Sequence, residues 1–180
     1  MDRQLSEENT LLYEKYEKEL ELHVSQVSLI GEALKAVSRV RATICCLSDG
    51  LKNICLRWVL RRIFLARRYE SFPAFIDGLG LRFNDLPEQF NKFQKVLEKI
   101  KGFPKDKREQ VFSTWRFLGL GFDYQNEDVS VRRQVRANRK RLVELTGVLT
   151  EIDDLLQAKR LEVRESIDDI KRKQENLPAL

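Results

Sequence analysis

Positions 131, 135, 138, 142, 145, 149, 152, 156, 159, 163, 166 and 170 follow one another by alternating steps of four and three without a slip. They hold Val131, Val135, Asn138, Leu142, Leu145, Leu149, Ile152, Leu156, Lys159, Val163, Ser166 and Ile170, of which nine of the twelve are apolar. An apolar repeat averaging 3.5 residues, sustained over more than five heptads, makes a helix lay a straight seam against another helix. The spacing predicts one helix over 129–175, about 70 Å long at 1.5 Å per residue, with Pro178 closing it. Asn138 and Lys159 put polar groups in the seam, which costs stability and helps to set register.

A seam of that length needs a long partner. Ser6 is a suitable N-cap, with Glu7 and Glu8 in the turn where negative charge suits the helix dipole. From there Tyr13, Tyr16, Leu20, Val24, Val27, Ile30, Leu34, Val37, Val40, Ile44 and Leu47 form a stripe of period 3.6. Asp49-Gly50 is a stop signal, because glycine readily takes the left-handed conformation that ends helices. The expected first helix is therefore 6–48.

A second helix is expected over 51–69. Its apolar residues, among them Ile54, Leu56, Trp58, Val59, Leu60, Ile63 and Phe64, surround the axis instead of forming a stripe, as in a helix buried on several sides. It also carries Lys52, Arg57, Arg61, Arg62, Arg67 and Arg68 without a single acid. Ser71-Phe72-Pro73 breaks it, and Gly78 and Gly80 mark a looser stretch. A short helical pair follows over 84–118. Its first member is capped by Asn84 or Asp85, carries Pro87 in its first turn, and ends at Gly102-Phe103-Pro104. The second buries Val111, Phe112, Trp115 and Leu118. The segment 119–128 is rich in turn formers.

The fold class this predicts is all-α: an elongated antiparallel helical bundle in which two long helices bracket shorter ones, forming one helical domain over 1–180. The competing arrangement is a parallel homodimer through the C-terminal helix. Composition agrees with long exposed helices, since charged residues make up 34% of the 180 residues and there are only 8 glycines and 4 prolines.

Several chemistries are argued against. A single histidine, His23, and three cysteines, Cys45, Cys46 and Cys55, make neither a Cys/His zinc site nor a disulfide framework. Gly78-Leu79-Gly80 and Gly119-Leu120-Gly121 complete no nucleotide-binding loop. No clustered carboxylate pair or nucleophile motif is present. A non-enzymatic protein without metal or other cofactor is expected. The start MDRQLSEENT is polar where a secretory signal would be apolar, and no long uncharged apolar run exists. The default address is cytoplasm or nucleus, with peripheral attachment to a membrane as an extension of it. Cys45 and Cys46 read first as buried reduced thiols, with S-acylation the rarer alternative at such a pair.

The net charge of +5 predicts no partner, but its distribution does. One basic concentration is 51–69. The other is the acid-free run Arg132, Arg133, Arg136, Arg139, Lys140 and Arg141. Antiparallel long helices bring the two together and leave Glu7, Glu8, Glu14, Glu17, Glu19 and Glu21 at the far end. The expected function is an interaction protein or adaptor that binds a protein partner through its long helices, with Leu142, Leu145, Leu149, Ile152 and Leu156 as the contact. Its basic pole, Arg57, Arg61, Arg62, Arg67, Arg68, Arg132, Arg133 and Arg136, would dock on an anionic membrane surface. Nucleic-acid binding by the same pole is the alternative.

Overall fold

The computed structural model describes residues 2–63, 72–116 and 129–177. Within them the chain forms four helices and no strand: α1 (Asp2–Ile63), α2 (Phe72–Lys99), α3 (Lys105–Arg116) and α4 (Val129–Glu175). The C-terminal helix has the bounds its heptads predict. From Val135 to Leu156 every seam position of α4 is buried, at most 1% exposed, and Val163 and Ile170 remain below 8%. Lys159 and Ser166, the polar interruptions, are half-buried.

α1 supplies the opposing seam. Ile30, Ala33, Val37, Val40, Ile44, Leu47, Leu51 and Ile54 also step by three and four, and none is more than 1% exposed. This repeat crosses Gly50 in phase, which is why the expected break at Asp49-Gly50 does not occur and the helix expected over 6–48 runs on into the next as far as Ile63, with 64–69 outside the described residues. A glycine inside a helix costs about 0.5–1 kcal/mol. Stopping there would forfeit the burial of Leu51 and Ile54, worth roughly 1.5–3 kcal/mol each. Packing wins, and α1 extends to 62 residues.

The two long helices run antiparallel. Arg41 of α1 pairs with Asp153 of α4 at 4.0 Å. Fifteen residues earlier in α1, the Gln26 side chain accepts a hydrogen bond from the Lys101 backbone N–H. A Cβ placed at the adjacent Gly102 would lie 3.6 Å from Lys159 Nζ. Moving toward the start of α1 thus moves toward the end of α4.

α2 begins at Phe72 instead of near Asn84, so the expected looser stretch with Gly78 and Gly80 is helical. Pro73 is its second residue, where the missing N–H is one the helix leaves unpaired anyway. Pro87 is then internal, removing a ladder hydrogen bond at a cost of about 3 kcal/mol. Leu86, Phe90, Phe93 and Leu97, all at most 1% exposed, offset it through burial. Gly102, at φ +73°, turns the chain after α2, and the Arg108 N–H closes the first turn of α3 on the Pro104 carbonyl. Phe112 of α3 meets Phe90 edge-on at 6.5 Å and Phe93 at the same distance. Lys107 ties α3 to Glu151 of α4 at 2.8 Å.

The first stripe of α1 is buried only in part. Its turn near Gln26 meets the end of α2, and N-terminal to that point Tyr13 stays 40% and Val24 53% exposed.

Two glycines test these local conformations. Gly147 lies exposed in mid-α4 with open space where a Cβ would stand, so Gly147→Ala raises stability by about 0.5–1 kcal/mol. Gly102→Ala lowers it by about 1–2 kcal/mol through its left-handed backbone. Thermal melts followed by circular dichroism should move in opposite directions; shifts of the same sign would contradict the assignment.

Candidate functional site

The residue following a seam position looks out on one side of the α1–α4 pair, and the residue preceding it looks out on the other. Arg41 follows Val40 and Asp153 follows Ile152, and those two side chains meet. Their contact shows that the following positions of both helices share a side. Thr43 precedes Ile44 and hydrogen-bonds Gln89 of α2 at 3.1 Å. Glu151 precedes Ile152 and takes Lys107 of α3. The preceding positions therefore carry α2 and α3, and the opposite side carries neither.

On that opposite side Cys45 and Lys52 on α1 and Arg136, Arg139 and Val143 on α4 are exposed following positions, while Ser48, Cys55 and Thr146 are half-buried. Leu56, one helical turn beyond Lys52, is 54% exposed, and Val143 is 59% exposed. From the Arg41–Asp153 pair, Leu56 is fifteen residues along α1 and Arg139 fourteen residues back along α4, so the equal rise of two helices brings them level. Lys52 is level with Val143 by the same count. Arg136, Arg139, Lys140 and Val143 line a hollow of about 310 Å³. Lys140 reaches Glu144 at 3.8 Å on a largely exposed pair, a contact worth little in water. Arg133, Arg136 and Arg139 have no hydrogen bond or ion pair among the described residues. The result is a mixed face of exposed cations with Leu56 and Val143 among them, and with one exposed acid, Asp49, two helical turns before Leu56.

Two ion pairs on other helix surfaces shift the ionisation of one member each. Its hydrogen bond to the Glu151 carboxylate, reinforced by that group's charge, holds the Lys107 ammonium above its ordinary pKa. Lys92 holds the Glu88 carboxyl below its own in the same way.

Each expected site residue has its place. Arg133 and Arg136 stand exposed on α4. Arg57, Arg61 and Arg62 fall on the helical backbone of α1 and Arg132 on that of α4, but their side chains lie outside the described residues, as do Arg67 and Arg68 altogether. The expected protein contact is corrected. Leu142, Leu145, Leu149, Ile152 and Leu156 are 0% exposed, because α1 of the same chain fills the seam that a partner or a parallel homodimer would need. Cys45 and Cys46, expected as buried thiols, are exposed. The sequence reading passed over Lys52, Leu56, Arg139, Lys140 and Val143 as site residues. The signal for most of them was available as the position just after each heptad position.

Among the described residues no group of His, Cys, Asp and Glu is arranged to hold a metal ion, and no helix is long and apolar enough to cross a membrane. The chain is an all-helical bundle built on one antiparallel helix pair. Compared with known proteins, it matches no family, no curated protein and no solved structure.

Since both seams belong to one chain, Leu149→Ala should cost about 2–5 kcal/mol at every protein concentration. Melts of the wild type and the variant across a hundredfold dilution check this. A midpoint falling on dilution would mean that the seam is shared between chains.

Proposed function

We propose that this protein is a non-enzymatic helical adaptor that docks peripherally on an anionic membrane leaflet through the side of the α1–α4 pair opposite α2 and α3. The observation that carries this reading is the exposure of Leu56 and Val143 among Lys52, Arg136, Arg139 and Lys140. Clustered cations attract any polyanion. Apolar side chains set between them gain only where there is hydrocarbon to enter, which favours a lipid surface over a nucleic-acid backbone. The opposite end of the rod carries Glu14, Glu17, Glu19 and Glu21 against Lys15 and Lys18, and an anionic leaflet repels it.

An adaptor also needs a protein contact. With the seam leucines taken up internally, Leu11, Leu12, Tyr13, Leu22 and Val24 of α1 leave apolar surface exposed at that acidic end. A partner held there stands clear of the bilayer.

Flotation with vesicles tests the docking. Binding is expected to anionic and not to neutral vesicles, weakening as salt rises. Replacing Arg136, Arg139 and Lys140 together by Gln removes about 1 kcal/mol each, a loss of about a hundredfold in partitioning. Circular dichroism should be unchanged, as these side chains are exposed. Leu56→Ser with Val143→Ser should weaken vesicle binding and leave any gel shift with nucleic acid untouched. If the double Ser variant floats like the wild type while gel shifts respond to the Gln triple, the nucleic-acid reading replaces this one.

A further inference from the structure

α2 packs on α1 and α3 packs on α4, although only the turn at Gly102 separates the two shorter helices. Helices that leave one turn for different supports diverge, and an angle opens between them. Phe112 of α3 closes the bottom of that angle, its ring 6.5 Å from those of Phe90 and Phe93 on α2. Above it lies a cleft of about 420 Å³, within the range of small-molecule sites. Gln94 and Glu98, one turn apart on α2, stand on one wall. Lys105, Arg108, Glu109 and Phe112, on one face of α3 at spacings of three and four, stand on the other.

Most of the charge in the cleft is already matched. Glu98 accepts a hydrogen bond from Gln94 Nε2 at 2.9 Å, and Glu109 pairs with Lys105 at 3.8 Å on the exposed rim. Arg108 is different. Its Nε is buried and makes no hydrogen bond, and no ion pair holds its guanidinium among the described residues. A buried donor is ordinarily satisfied, because an unmet one forfeits the hydrogen bond it had with water.

We propose that this cleft is a binding site for a small monocarboxylate with an apolar or aromatic body. The Arg108 guanidinium offers two parallel N–H donors, the geometry that a planar carboxylate accepts. The body of the ligand rests on Phe112, whose half-buried ring is the apolar floor. Glu98 and Glu109 limit the charge that can enter. A doubly charged phosphate meets two carboxylates with one free guanidinium to offset them, whereas a single negative charge is matched one to one. The cleft is on the side that carries α2 and α3, so the inference does not depend on how the opposite side is used.

The test uses the full chain, isotope-labelled for NMR and titrated with phenylacetate. A saturable shift of the Arg108 Nε–H signal and of the Gln94 side-chain amide is expected, half-complete on the order of 1 mM, as so small a ligand allows. Phenyl phosphate and the neutral phenylacetamide should each bind at least about tenfold more weakly. Arg108→Gln should also weaken phenylacetate at least about tenfold. Lys95→Gln, the same charge change at an exposed position of α2, should leave binding as it is. Arg108→Lys keeps the charge without the planar fork and should weaken binding too. Circular dichroism reports whether the variants fold, and the Arg108 Nε–H shift in the wild type decides the matter even if they do not. The proposal is overturned by no saturable shift at Arg108, by undiminished binding to a folded Arg108→Gln chain, or by phenylacetamide binding as tightly as phenylacetate. Tighter binding of phenyl phosphate overturns the choice of a monocarboxylate.

Discussion

The rest of the structure depends on the antiparallel seam between α1 and α4. Eight α1 residues from Ile30 to Ile54 face the α4 positions from Val135 onward in a nearly dry interface. At roughly 1.5–3 kcal/mol for each large apolar side chain buried, this seam exceeds every local preference it meets. It carries α1 through Gly50. It also holds Asn138 at 1% exposure, a polar seam residue of the kind that restricts register at a cost in stability.

Sidedness follows from the seam. Once two helices are locked in one register, every residue next to a seam position is assigned to one side or the other. Thr43 and Glu151 lie on the side that receives α2 and α3. Arg41 and Asp153 mark the side that does not. A rod with one covered side and one open side has a direction in which to meet a surface. The exposed cations and the apolar residues between them lie on the open one. The same geometry explains the acidic end, where α1 continues past the last turn of α2 and its apolar stripe is left partly uncovered.

Much of this was legible in the residues. The α4 heptads specify its bounds and its buried positions, because the 3.5-residue repeat is the pattern a helix pair requires. The end of α2 at Gly102-Phe103-Pro104 was legible for an equally local reason, the left-handed backbone that glycine adopts without strain. Gly50, Pro73 and Pro87 were misleading. Their effect is a fraction of a kcal/mol to about 3 kcal/mol each, and burial of Leu51, Ile54, Leu86 and Phe90 by non-local neighbours outweighs it. The leucines from Leu142 to Leu156 were recognisable as a contact surface, but whether the contact lay within the chain or outside it was not.

The sequence by itself determined that the chain is helical, which residues line its long seam, and where acid-free runs of lysine and arginine fall along it. Those are properties of periodicity and composition, and they survive any arrangement of the helices. Only the tertiary structure decided that α1 is the seam's partner, that α2 and α3 cover one side, and that Cys45, Lys52, Leu56, Arg139 and Val143 share the other. The physical reason is that a side chain's exposure depends on neighbours far away in the chain. On one helix, Cys45 and Thr43 are almost equally close to the seam residue Ile44, and what separates them is the helix that packs against one and leaves the other in the open.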